Sequence, residues 1–201
     1  MSALFVASEV GSVRALLPIC FQCYESGLPF SVVKRGYMEK AYNSAWNVIS
    51  EIPEEIDGLG AFLKETGVEV VIFSVNVKDT LPLKVARAAE KMKIPTIHVL
   101  DYWNAYQGRM CLDNETPFVP SAYVVPDEYA RQKAIKEGVD AKSIHIMGQP
   151  ALADTIEHYE SINKSKSIAI LSIVVEKIDE RPSFTERAKT IFNRIKRGHF
   201  D

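Results

Sequence analysis

Along this chain, short solid apolar runs alternate with longer stretches in which apolar residues recur at helical period. Leu4-Phe5-Val6-Ala7 is the first run, and Val13, Leu16, Leu17, Cys20 and Tyr24 follow it three or four residues apart. That pattern predicts a buried strand, a tight turn and a helix ending near Gly27. Pro18 inside this helix should bend it or leave one carbonyl unbonded. Phe30 to Val33 predicts a second strand after Gly27-Leu28-Pro29. Gly36 to Pro53 reads as loop and short helix, carrying Tyr37, Tyr42 and Trp46, and Ile56 to Glu65 as a helix.

The middle of the chain is more regular. Val68 to Ser74 is rich in β-branched residues, as in a strand covered on both faces. Leu81 to Met92 predicts a helix, Ile94 to Leu100 a strand, and Ala122 to Val125 another strand. Glu128 to Glu137 reads as a helix stopped by Gly138. Ser143 to Met147 closes the series as a strand, and residues 151 to 162 are of helical pattern. Strands alternating with helices of this length imply βαβ units and a parallel sheet. The expected fold class is α/β, a Rossmann-like three-layer sandwich with a mainly parallel sheet. Beyond the polar stretch Asn163 to Ser167, Ile168 to Val175 predicts one further strand and Pro182 to Arg197 an amphipathic helix. The expected division is residues 1–162 as the Rossmann-like domain. Residues 163–201 are then an added strand and helix, or the stump of a second domain.

Composition narrows the classes. With 24 Lys and Arg against 26 Asp and Glu, and no basic stripe, nothing points to nucleic acid. The start lacks a signal-peptide pattern, and no apolar run approaches the roughly 20 residues of a membrane span. Three cysteines make no disulfide framework. A cytoplasmic protein is expected.

In an open parallel sheet, ligands bind beyond the carboxyl ends of the strands. Three segments there carry chemistry. After the first strand comes Ser8-Glu9-Val10-Gly11-Ser12. Gly11 lets backbone approach a ligand, and the helix amides after it favour an anion. Glu9, if partly desolvated, would act as a general base. The ordinary alternative is a βα turn with Ser12 as helix N-cap.

Asp101-Tyr102-Trp103-Asn104-Ala105-Tyr106-Gln107-Gly108-Arg109 is the richest segment. Tyr102 and Trp103 would stack on a sugar or another ring, Asn104 would orient it, and Asp101 would serve as a second catalytic carboxylate. Arg109 would take a phosphate or carboxylate bidentately. The alternative is a loop packed by its own aromatics, with Arg109 paired to Asp101. Ser74, Asn76, Asp79 and Thr80 lie at the neighbouring strand end, where Ser74 and Asn76, with Ser12 of the first turn, would contact the substrate; in the simplest reading Asp79 or Asn76 caps the next helix.

Other residues add little. His98 sits in an apolar strand and reads as a core residue. His145, His158 and His199 lack metal-ligand spacing. Cys20-Phe21-Gln22-Cys23 falls in mid-helix without a second pair, so neither redox chemistry nor zinc is indicated. There is no G-x-G-x-x-G fingerprint and no P-loop, and no cofactor or metal is expected.

Gly11 in the first turn, the strand ends at Ser74 and Asp101, Asp127-Glu128-Tyr129-Ala130, Gly138 to Ile144, and Met147-Gly148-Gln149-Pro150-Ala151-Leu152-Ala153-Asp154 resemble one family in order and spacing. They are similar to the amino-terminal half of GT-B-fold enzymes, the two-domain glycosyltransferases and UDP-N-acetylglucosamine 2-epimerases. The resemblance covers roughly residues 2 to 156, and its last segment is similar to that family's hinge between domains. It implies a sugar- or acceptor-handling half of a glycosyltransferase or epimerase, with a sugar or nucleotide-sugar as ligand. A second nucleotide-binding domain would come from a partner chain, and a homodimer is the other assembly. The rival class is a catalytically silent binding or assembly module of the same fold.

Overall fold

In the computed structural model the chain divides into two units, Met1–Ile162 and Asn163–Asp201. The structure describes residues 2–75, 79–112, 116–153, 155 and 156, all in the first unit. The strand expected over Ile168 to Val175 and the helix expected over Pro182 to Arg197 lie outside the described residues.

Among the described residues, seven strands form one sheet, and every pairing in it is parallel. In chain order they are β1 Ala3–Val6, β2 Phe30–Val33, β3 Asn47–Ile49, β4 Val70–Phe73, β5 Thr96–Val99, β6 Ala122–Val125 and β7 Ile144–Ile146. The helices are α1 Val10–Glu25, α2 Met38–Ala41, α3 Ile56–Glu65, α4 Leu81–Lys91 and α5 Glu128–Lys136. The spatial order is β3-β2-β1-β4-β5-β6-β7. This is the expected Rossmann-like α/β architecture.

The solid apolar runs follow from burial on both faces. All four residues of β1 are buried. Leu4 and Val6 belong to a core shared with Leu59 and Leu63 of α3 and with Leu83, Val85, Ala86 and Ala89 of α4. Ala3 and Phe5 face the other way, into a core with Val13, Leu16 and Cys20 of α1. Alternate residues of a strand point to opposite faces, so one run feeds two helical layers.

One local expectation needs correction. Gly36 to Pro53 contains a strand, β3, as well as the short helix α2. It pairs with β2 at the sheet edge, and the Asn47 side-chain amide donates to Ser31 Oγ at 2.7 Å. Helix α1 runs unbroken past Pro18. Proline offers no N–H to the carbonyl of Arg14, an exposed residue whose backbone water can reach.

The C-x-x-C pair is packing. Cys20 is buried and Cys23 half-buried in α1, and burial pushes both thiols above their ordinary range. Thiols held that way are poor nucleophiles. Among the described residues, no helix is long and apolar enough to cross a membrane. No group of three or more metal-ligating side chains occurs among them either.

Candidate functional site

The sheet order reverses between β1 and β4. From β1 the chain moves outward through β2 to β3, then returns to place β4 on the other side of β1. Loops leaving adjacent strands in opposite directions open a crevice at that point. The βα loops of β1, β2, β4 and β5 supply its polar groups.

On the β5 side the centre is Asp101. Its Oδ1 accepts from Arg109 Nη1 at 2.5 Å, and its Oδ2 accepts from the Ser12 hydroxyl at 3.0 Å. Both charged side chains are deeply covered, Arg109 at 5% and Asp101 at 7% exposure. Gly11 explains how α1 comes this close: a Cβ there would stand 3.0 Å from Asp101 Oδ2. Any side chain at position 11 would push the carboxylate away from Ser12.

Arg109 holds the loop itself. Its Nε donates to the Ala105 carbonyl at 3.2 Å, and Nη1 also donates to the Val75 carbonyl at 3.2 Å. Nη2 donates to the Asn104 carbonyl at 2.8 Å and to Asn104 Oδ1 at 3.2 Å. Ala105 has φ of +48°, a left-handed backbone that L residues adopt at a cost. Its carbonyl is clamped by both the Arg109 side chain and the Arg109 backbone N–H. The expectation that Arg109 offers its fork to a phosphate is therefore corrected, because every guanidinium nitrogen already donates within the protein. The other reading, Arg109 paired to Asp101, is the one observed.

The remaining expected residues are placed as follows. Glu9 is the N-cap residue of α1, half-buried, and its side chain makes no capping bond. Ser12 is not the cap, since the helix begins two residues earlier and its hydroxyl serves Asp101. Tyr102 is exposed and meets Trp103 edge-on. Trp103 Nε1 donates to Asp127 Oδ2 at 2.8 Å, which fixes the indole to the start of α5. Asn104 is exposed, with its carbonyl and amide oxygen turned to Arg109. Ser74 is fully buried, and its hydroxyl has no protein partner. Asn76 lies outside the described residues. Gly11, Ser12, Asp101, Asn104 and Arg109 thus form one connected cluster; Ser74 and Trp103 are tied to other groups or to none.

Asp127 also accepts from the Ala130 amide at 2.7 Å, making it the N-cap of α5 as well as the anchor of Trp103. Replacing it with alanine removes both bonds and is expected to lower stability by about 1–2 kcal/mol. Urea unfolding of the D127A and D127N proteins checks this, with asparagine, whose single amide oxygen can accept only one of the two N–H groups, recovering no more than about half of the loss.

Sequence reasoning missed a second cluster at the reversal point. The Ser8 hydroxyl donates to Asp79 Oδ2, and Arg35 Nε lies 3.4 Å from the same oxygen. Asp79 Oδ1 accepts from the Leu81 amide at 3.0 Å, although the N-cap of α4 is Thr80 and not Asp79. Arg35 also pairs with Glu54 at 2.9 Å. Gly36 has φ of +58°, and a Cβ on it would lie 2.6 Å from the Ser8 carbonyl oxygen. The Ser8 carbonyl accepts the Tyr37 amide at 2.7 Å, locking the β2 loop onto the β1 loop. Gly36 after a strand was the one sequence signal available.

His98 of β5 is fully buried between Phe73 and Tyr123, with ring centroids 5.1 Å and 4.6 Å away. Neither ring nitrogen has a protein partner. Burial, with the Arg109 charge adding to it, holds its pKa well below the ordinary histidine value. A small cleft lined by Gln107, Met110, Phe118, Tyr123, Gly138 and Val139 includes none of the converging residues.

No protein-family model and no curated protein matches this sequence. Solved structures do match the fold. UDP-GlcNAc 2-epimerase from Neisseria meningitidis, bound to UDP-GlcNAc, is similar with a TM-score of 0.59 and 13% identity over 82% of this chain and 50% of that one. UDP-N-acetylglucosamine 2-epimerase from Rickettsia bellii has a TM-score of 0.55 and 16% identity over 82% and 49%. Anabaena HepE in complex with UDP and glucose has a TM-score of 0.52 and 10% identity over 74% and 44%. The chain spans about half the length of these structures. The resemblance to the amino-terminal half of GT-B-fold enzymes holds at the level of fold.

Proposed function

We propose that the first unit is the sugar- or acceptor-handling half of a two-domain nucleotide-sugar enzyme, a glycosyltransferase or an epimerase. The observation that carries this reading is the convergence of the β1 and β5 loops on Asp101, beside the reversal of strand order. Two features set the chemistry. Asp101 has both carboxylate oxygens engaged, so it is a fixed anion that orients hydroxyl donors. Glu9 is half-buried and has no capping bond, which leaves it free to accept a proton from a sugar hydroxyl. The exposed Tyr102 ring offers an apolar face to a pyranose.

Neither guanidinium is free to neutralise a pyrophosphate, since Arg109 is fully engaged and Arg35 is paired with Glu54 and Asp79. That is why the nucleotide belongs to a second domain, supplied by a partner chain or by further sequence. By their descriptions the Neisseria structure holds UDP-GlcNAc, and the Anabaena structure holds UDP and glucose.

Isothermal titration with UDP, CDP, UDP-glucose and UDP-GlcNAc, alone and with a candidate partner chain, tests the reading. Binding at a Kd of about 1 mM or tighter is expected for at least one combination. Heats indistinguishable from dilution in every combination would overturn it in favour of a silent assembly module. Glu9→Gln is expected to leave the Kd within about threefold while abolishing turnover of the assembled enzyme.

A further inference from the structure

We infer that Gln149 is a positioning residue that ties the chain leaving the sheet to the Asp101 loop. The last strand, β7, ends at Ile146, and a helical segment begins at Pro150. Between them, Gly148 has φ of +82° with open space around the position of a Cβ, so the backbone there can turn without meeting a neighbour. A joint of that kind fixes no direction by itself.

Burial does not fix it either. Met147 is 74% exposed and Leu152 52%, and Ile156 is exposed as well. Among the described residues, the Met147 amide bonds the Val125 carbonyl before this joint, and beyond it the Gln149 side chain reaches back to the β5 loop with two ends. Gln149 Oε1 accepts from the amides of Ala151 at 2.7 Å and Leu152 at 3.3 Å, capping the helical turn. Its Nε2 donates to the Asp101 carbonyl at 3.3 Å, across 48 residues of sequence. Asp101 is the residue whose carboxylate is gripped by Ser12 and Arg109. A rotation of the segment about Gly148 therefore pulls on the backbone that orients that carboxylate, and a ligand that moves Asp101 pulls on the segment in return. Such coupling is reciprocal by linkage. Gln149 also has a chemistry that lets its two roles be separated. Glutamate keeps the acceptor and loses the donor.

The significance of the coupling for ligand binding rests on the reading given above; the coupling itself can be measured without ligand. The experiment uses the full chain, ¹⁵N-labelled, as wild type, Gln149→Glu and Gln149→Leu. Hydrogen exchange at Ala151 and Leu152 reports the cap. The indole N–H of Trp103 and the Nε–H of Arg109 report the Asp101 loop. Gln149→Glu is expected to leave exchange at the two amides within about twofold while shifting both loop resonances. It should weaken UDP-GlcNAc binding by about two- to tenfold, the worth of one hydrogen bond. Gln149→Leu is expected to disturb cap and loop together. Unchanged Trp103 and Arg109 resonances in a folded Gln149→Glu protein would overturn the inference. Shifted resonances with no UDP-GlcNAc binding to any of the three proteins would uphold the coupling and count against the nucleotide-sugar reading.

Discussion

Arg109→Met is expected to cost about 3–5 kcal/mol, the largest single loss predicted for this protein. The substitution keeps the aliphatic volume and deletes the charge. It strands the Asp101 carboxylate, whose side chain is only 7% exposed, with Ser12 as its remaining partner. It also leaves the buried Val75 carbonyl without its guanidinium donor and frees the Asn104 carbonyl, while Ala105 keeps the backbone N–H of residue 109. Buried acceptors without partners carry their own desolvation penalty, so the loss exceeds that of a surface ion pair. Arg109→Lys does not rescue it. A single ammonium cannot reach the four points that the planar fork spans, and at least half the loss should persist. The double variant Asp101→Leu with Arg109→Met separates charge from scaffolding, because a buried pair replaced on both sides is far less costly than one half-removed. Urea unfolding of the wild type, Asp101→Leu, Arg109→Met and the double variant gives the coupling energy. A loss below about 1 kcal/mol for R109M would show that the loop is held by its aromatic packing and not by the guanidinium.

The same network shows where sequence was legible and where it stopped. Val70–Phe73 stands inside the predicted Val68 to Ser74, and Ala122–Val125 and Phe30–Val33 coincide with their predicted runs, because burial on both faces leaves a solid apolar stretch no helix would show. Strand β3 was illegible for the opposite reason. It is three residues long, sits at an edge, and has Asn47 exposed, so it carries neither a run nor an alternation. At the site, the segment Asp101 to Arg109 was singled out by its density of polar and aromatic residues. Its internal pairing stood as one of two readings until geometry chose it. For Ser12 a ligand contact and an N-cap stood as the two readings, the second because serine near a helix start usually is a cap. The helix begins at Val10 instead, which turns Ser12 inward to Asp101. The Ser8–Asp79 bond had no sequence signal. Its partners are 71 residues apart, and nothing local says that β4 lies beside β1. Strand order is a property of packing, and residues that depend on it are found only after it is known.

A steep acid limb is the second large effect, and His98 should cause much of it. The imidazole is fully buried, makes no hydrogen bond with the protein, and lies within the field of Arg109. Its folded-state pKa is therefore well below 6.5, whereas in the unfolded chain it returns to about 6.5. Above pH 6.5 the ring is neutral in both states and contributes no pH dependence. As pH falls below 6.5 the unfolded chain takes up a proton that the folded protein refuses, and stability drops by up to about 1.4 kcal/mol per pH unit. The decline continues until the depressed folded pKa is reached. His98→Phe removes the titrating group and keeps an aromatic ring against Phe73 and Tyr123. It forfeits no hydrogen bond to the protein, so stability at pH 7.5 should stay within about 1 kcal/mol of wild type. The comparison also isolates His98 from the carboxylates, whose protonation adds to the limb at lower pH in both proteins. Urea midpoints at pH 7.5, 6.5, 5.8 and 5.0 for the two proteins decide the matter. Parallel curves would mean that His98 titrates alike folded and unfolded, which a ring sealed in the core beside a guanidinium cannot do.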